Sequence, residues 1–159
     1  SVVLVNTNPL WVGLLTVFGL GLVLLLGLVW GCGRSAPEHD MVTTVDGSIR
    51  LSRSAVDDGG VHFFTYQYDG KNVNFLVRTD GEGRLHTHLD ACYSCYQYKR
   101  GFVVEGDDVV CIACRLEYPI EAEIWDFIGA CAPIPIRHEV ETDDVVIETR
   151  LLEQAARYF

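Results

Sequence analysis

Two Cys-x-x-Cys pairs, Cys92-Tyr-Ser-Cys95 and Cys111-Ile-Ala-Cys114, stand fifteen residues apart and constrain this chain more than any other feature of its sequence. A Cys-x-x-Cys turn puts two thiols on one side of a tight loop. Two such loops brought together by a hairpin give four sulfurs a tetrahedral arrangement about one metal. The intervening stretch contains Val-Val-Glu-Gly-Asp-Asp-Val-Val, residues 103–110, which supplies that hairpin. Disulfides or buried free thiols are the alternatives. Redox chemistry of the thioredoxin kind needs one pair in a strand-to-helix context that is missing here. Cys92, Cys95, Cys111 and Cys114 are the candidate ligands, and four thiolates suit structural zinc, a single iron or an iron-sulfur cluster alike.

Three further residues are candidates for the same chemistry. Cys131 lies in Gly129-Ala-Cys-Ala-Pro-Ile-Pro135, stiffened by two prolines, where it is a substitute ligand, a cap on the site, a ligand to a second metal or an inert buried thiol. His86 and His88 alternate along an expected strand just before Cys92, so they point to one face. Such a pair can hold copper, zinc or iron through imidazole nitrogens, or simply be polar strand residues. His39, His62 and His138 have no evident partner, and Cys32 is expected to do no more than pack or carry a lipid.

Charge is distributed unevenly. All 12 basic and 22 acidic residues lie beyond position 33, which gives a greasy leader followed by an acidic domain of net charge -10. Residues 10–30, LWVGLLTVFGLGLVLLLGLVW, number 21; at about 1.5 Å per residue they span the roughly 30 Å hydrocarbon core of a bilayer, as a transmembrane helix does. Trp11 and Trp30 sit at its ends, where indole rings prefer the headgroup level. A cleaved secretory signal is the rival, since residues 28–31 before Cys32 loosely resemble a lipobox that Trp30 fits poorly. Gly13, Gly19, Gly21 and Gly27 allow close helix approach in lipid, so integral membrane subunits are expected partners. The acidic balance disfavours nucleic acid and suits a basic redox partner.

Beyond the short polar linker SAPEHD, segments rich in Val, Ile, Thr, Phe and Tyr recur between turn signals. Hairpins are expected at residues 41–45 with 48–51 around Asp46-Gly47, and at residues 61–68 with 72–79 around Asp69-Gly70. Further strands are expected at 84–89, 101–105, 108–112, 134–139 and 145–149, with short helices at 121–127 and 151–157. The fold class is mostly β: a single N-terminal transmembrane helix (1–33), a linker and first hairpin (34–60), and a small β-rich metal-binding domain with short helical pieces (61–159). No Ser/His/Asp order, phosphate loop or HExxH helix is present, so a non-catalytic redox or metal-binding subunit is expected rather than a stand-alone enzyme.

The run Leu89-Asp-Ala-Cys-Tyr-Ser-Cys95, then Gly101-Phe102 with Glu105-Gly-Asp107, Cys111-Ile-Ala-Cys114, Ile128-Gly-Ala-Cys-Ala-Pro-Ile-Pro135 and the terminal Arg157-Tyr-Phe159, resembles the FtrD-like membrane iron-sulfur protein family over about residues 61–159. The chain departs from the family pattern at Ala130 and Ala132 beside Cys131, at Arg115 after the fourth knuckle cysteine, and at His86 and His88. The resemblance implies iron-sulfur or thiolate-iron binding on the periplasmic side of a membrane. With it, electron transfer in a membrane complex is the leading expectation. A structural zinc module, or a metal-delivery protein for an iron or copper uptake permease in which Cys131, His86 and His88 form an exchange site, are the alternatives.

Overall fold

Apolar residues of opposite parity along one antiparallel sheet dictate the architecture, because each face of that sheet must be covered by a different layer. The computed structural model describes residues 36–125 and 131–159, and residues 36–159 form one unit. The central sheet has the order β1-β3-β4-β5-β9, built from Asp40–Met41, Val61–Tyr68, Lys71–Thr79, Leu85–Cys92 and Pro133–Pro135. The hairpin expected around Asp69-Gly70 is present, in register from Val61 opposite Arg78 to Tyr68 opposite Lys71. Asp69 and Gly70 both have positive φ (48° and 71°), as the two-residue turn that matches strand twist requires.

One face of this sheet carries Phe64, Val73, Phe75, Val77, Leu85 and Leu89. They pack on a second sheet, β10-β11-β2 (Glu139–Val140, Asp144–Glu148, Ser48–Ser52), and on the helix Thr149–Ala155 with its 3-10 extension Ala156–Tyr158. The other face carries Phe63, Leu76 and Cys92, which meet Phe102, Val109, Cys111, Tyr118 and Trp125. Most of that covering layer is the third sheet, β6-β7-β8 (Phe102–Glu105, Asp108–Cys111, Glu117–Pro119).

The structure departs from expectation in several places, including the strand Glu117–Pro119 and a short helix at Arg53–Val56, which were not expected. The hairpin at 41–51 does not form: Met41 pairs in parallel with Thr65, and only Val45 bridges to Ser48 across the Asp46-Gly47 turn. Ile49 and Leu51 instead sit opposite Ile147 and Val145, an apolar pairing for Ile49 that Thr44, its partner in the expected hairpin, could not supply. The strand expected at 134–139 is broken into β9 and β10, because β9 holds two prolines and ends as an edge strand while Ile136 N–H donates to Thr87 O at 2.9 Å. No helix occurs over 121–125. Instead Ala122 N–H closes a turn on Pro119 O (3.1 Å), and the Trp125 indole N–H donates to the same carbonyl at 2.8 Å. The C-terminal helix begins two residues earlier than expected, at Thr149, whose hydroxyl donates to Gly47 O at 3.0 Å.

Among the described residues, no helix is long and apolar enough to cross a membrane. The transmembrane segment expected at residues 10–30 and Cys32 lie outside the described residues, as do residues 126–130 of the loop before Cys131.

Candidate metal centre

Cys92 is the last residue of β5 and Cys111 the last of β7, so each cysteine loop starts where a ladder of strand hydrogen bonds stops. Both residues are buried, Cys95 is half-buried and Cys114 is exposed. In the first loop the Cys95 N–H donates to Cys92 Sγ at 3.1 Å. The chain then enters a 3-10 turn over Tyr96–Tyr98, with Tyr98 N–H donating to Cys95 O at 2.9 Å. In the second loop the Arg115 N–H donates to Cys111 O and the Cys111 N–H to Leu116 O, each at 2.9 Å. Arg115 itself takes a left-handed φ of 65°. Its guanidinium forks onto Glu105 at 2.9 and 2.7 Å, which ties this loop to the end of β6.

Five thiols converge here, and all five are free. The sulfurs of Cys92, Cys95 and Cys111 lie within 4.8 Å of one another, and so do those of Cys95, Cys114 and Cys131. The four cysteines of the two pairs therefore do not gather alone; Cys131 joins them, and Cys95 belongs to both groups. Burial pushes the Cys95 thiol up, reinforced by its hydrogen bonds with Cys114 and Cys92 and by the charges of Cys92 and Cys111. A crowd of thiols resists ionisation because each anion opposes the next, and a bound cation inverts that balance. Tyr118, fully buried, donates its hydroxyl to the Cys131 carbonyl. Burial first, then the surrounding cysteine charges, raise its pKa, so it stays a phenol and a donor. Phe102 and Tyr118 shield the cluster, in an edge-to-face pair 5.9 Å apart, whereas Tyr93 and Tyr96 are exposed beside it.

A cleft of about 280 Å³ opens on the side of Cys92, Cys95 and Cys111, bounded by His39, Asp90, Gly101 and Tyr96. Asp90 is buried; its carboxylate accepts the Phe102 N–H at 2.7 Å and faces His39 Nε2 at 3.0 Å. Burial opposes the protonated form of His39, but the hydrogen bond and charge of Asp90 outweigh it and leave the pKa above its ordinary value. Gly101, at φ 65°, is required here: a Cβ would lie 2.4 Å from Asp90 Oδ2. Sequence reasoning passed over this pair. Asp90 shares strand parity with His88 and Cys92, which was a usable signal, but His39 lies 51 residues from Asp90 and offered none.

His86 and His88 do point to one face of β5, with rings 6.5 Å apart. They share the sheet face of Cys92 but stand apart from the sulfurs, beside Trp125. His88 is buried against the Trp125 ring at 4.8 Å, and the Arg78 guanidinium covers the same indole at 4.0 Å. Burial, then the Arg78 charge, pushes His88 down to about 3, so it is neutral. His86 Nε2 meets the Asp80 carboxylate at 2.9 Å, and Arg84 Nε donates to the same oxygen at 2.9 Å. Among the described residues, neither histidine falls in a group of three metal-capable side chains. His138 Nδ1 meets Thr87 Oγ1 at 3.0 Å, and His62 Nε2 meets Asp58 at 2.8 Å.

A β-rich domain with strand-end cysteine loops on one face of its central sheet, and a further cysteine brought to them, falls in the class of small cysteine-cluster domains suited to holding a metal. The chain matches, over residues 56–159, the family described as membrane iron-sulfur containing protein FtrD-like, and it belongs to that family. No curated protein matches it. The donor set fits the family description: soft sulfur ligands, unbonded to one another, with a backbone N–H directed at one of them.

Proposed function

We propose that this chain is a membrane-anchored subunit whose domain holds an iron-sulfur or thiolate-iron centre on Cys92, Cys95, Cys111 and Cys114, and that it carries electrons within a membrane protein complex on the periplasmic side. The observation that supports this reading most is the convergence of free thiols at the ends of β5 and β7. When bound, such a centre supplies one-electron exchange at thiolate-ligated iron.

The chain's own residues set the conditions for that exchange. The Cys95 N–H stabilises negative charge on Cys92 Sγ, and Phe102 and Tyr118 pack in one buried cluster with Cys92 and Cys111. Tyr93, Tyr96, Tyr98 and Leu116, all exposed, surround the two cysteine loops and offer a partner an apolar rim. The net charge of -10 orients a basic donor or acceptor before contact. In this reading His86 and His88 build the Trp125 layer rather than ligate. The leader, with Gly13, Gly19, Gly21 and Gly27 in its apolar run, packs against an integral membrane subunit.

The test is a visible absorption spectrum of the purified full-length chain, taken with iron, zinc and acid-labile sulfide analysis. A coloured protein whose absorption bleaches on reduction is expected. A colourless protein with one zinc per chain sinks electron transfer and leaves a structural zinc module. Protease accessibility of the domain in sealed vesicles checks the side of the membrane.

A further inference from the structure

Cys95 is the only sulfur common to both groups of three, and that sharing carries an inference about what the cluster holds. A single metal ion in a tetrathiolate site needs four sulfurs around one centre. Here the four cysteines of the two pairs divide: Cys92 and Cys111 accompany Cys95 on one side, while Cys114 and Cys131 accompany it on the other. The division follows the fold. Cys92 and Cys111 end paired strands and are buried, whereas Cys114 lies three residues further out, exposed, toward the half-buried Cys131 that precedes β9. Tyr118 holds the Cys131 carbonyl from within the core, and Tyr93 N–H donates to Ala132 O at 3.3 Å, so the Cys131 segment is fixed against the first cysteine loop.

We propose that the cluster provides two metal positions that share Cys95: an inner one on Cys92, Cys95 and Cys111, and an outer one on Cys95, Cys114 and Cys131. A thiolate has more than one lone pair and can bridge two cations. Each position has three sulfurs and so one place for a further ligand. The cleft beside His39 and Asp90 touches Cys92, Cys95 and Cys111, and Cys114 of the outer position is itself exposed, so each position takes its fourth ligand from solution, a small thiolate or water. A three-sulfur site with one place open is the arrangement of reactive rather than purely structural centres. This inference rests on the proposed metal centre and adds Cys131 and a second metal atom to it.

Cadmium is the probe, because it is soft, favours thiolates and is observable by nuclear magnetic resonance as the 113Cd isotope. The full-length chain in detergent, stripped of its metal under anaerobic reducing conditions, is titrated with 113Cd2+. Two equivalents, two resonances and a resolved cadmium–cadmium coupling through the shared sulfur are expected for the wild type, a result that needs no variant. Cys131→Ser removes one resonance, and Cys131→Ala repeats the test with a smaller side chain. Added 2-mercaptoethanol shifts both resonances. One equivalent with a single tetrathiolate resonance, unchanged in Cys131→Ser and lost in Cys92→Ser, overturns the inference while leaving the proposed function standing. Two uncoupled resonances overturn the sharing of Cys95, and resonances that do not respond to added thiol overturn the open fourth places. No cadmium bound at all overturns both this inference and the metal-centre reading beneath it.

Discussion

On one face of the central sheet Phe64, Val73, Phe75, Val77 and Leu89 meet the aliphatic residues of β2, β11 and the C-terminal helix, whereas the opposite face presents Arg78, His88 and Cys92 to a thin layer of short strands. The first face is stabilised chiefly by apolar area, which alternation along each strand provides, and its buried Thr79 and Thr87 hydroxyls donate to Val56 O and Ile136 O. The second buries an arginine, a neutral histidine, a carboxylate and thiols, each of which loses hydration that a partner must replace. Arg78 finds Ile120 O at 2.7 Å and the Trp125 face; Asp90 finds the Phe102 N–H; the thiols, among the described residues, find one another and a backbone N–H. The comparison teaches that β6–β8 cover their side of the sheet on condition that something satisfies the sulfurs, while β2, β10 and β11 cover theirs unconditionally.

The largest expected effect breaks that condition directly. Cys111→Ser is expected to abolish metal retention and, with it, amide-exchange protection in β6, β7 and β8, while β2 and β11 keep theirs. Exchange measured segment by segment on the full-length chain checks this. Equal loss of protection on both faces would show that the two layers fold as one and that the contrast has no energetic meaning.

A cavity on the other face sharpens the contrast from the opposite side. Phe75 is fully buried and stacks on Phe64 at 5.4 Å. Phe75→Ala is expected to cost about 3–5 kcal/mol. Urea unfolding measures the loss, and the absorption of the bound metal should be unchanged in the folded variant. A changed spectrum would mean that packing on the aliphatic face is transmitted to the sulfurs.

The two faces also differ in how legible they were. The β3–β4 hairpin, the β6–β7 hairpin and the aliphatic face follow from alternation and Asp-Gly or Gly-Asp turns, signals local enough to be read one segment at a time. The two cysteine pairs were legible because their spacing is itself chemistry. Pairing partners were not: Ser48–Ser52 chose β11, some hundred positions along the chain, over its neighbour at 41–45, because Val145 and Ile147 match its period. The division of sulfurs into two groups sharing Cys95 depends on where the Cys131 segment docks, and no spacing encodes that. His86 and His88 shared a face as expected, but which layer covers that face is a tertiary choice, made here by Trp125.

Acid is expected to act on the second face first. His88 titrates near 3 in the fold and near 6.5 unfolded, so between those values the unfolded chain binds the additional proton and stability falls as pH falls. Charging His88 would also set a second cation beside Arg78. The loss accumulates to the order of a few kcal/mol by the lower end of the window. His39 works in the opposite sense: its raised pKa makes the Asp90 contact most stabilising below 6.5 and weaker as pH rises through the folded value. Unfolding free energies measured from pH 7 to pH 4 should decline more steeply in the wild type than in His88→Phe, which keeps a ring against Trp125 and cannot be protonated. Parallel pH profiles would show that His88 is not the buried base.

The smallest expected effect isolates the cost of holding the second cysteine loop in place. Arg115 sits at φ 65°, a conformation that costs a side-chain-bearing residue roughly 1–2 kcal/mol, and one in which glycine is unstrained. The same residue forks onto Glu105 at the surface, where solvent screens the pair and its contribution is small. Arg115→Gly removes the strain and the pair together, and also loosens the unfolded chain. The strain relief and the two losses are of similar size, so the net change should lie within about 1 kcal/mol of zero. Glu105→Gln neutralises the carboxylate of that pair and should cost little, less at high salt. Subtracting that change from the Arg115→Gly result leaves the backbone contribution. If Arg115→Gly instead destabilised the chain well beyond Glu105→Gln, while also lowering metal occupancy, Arg115 would be orienting Cys114 rather than tolerating a turn, and the dependence of the second face on its sulfurs would extend to the residue that follows them.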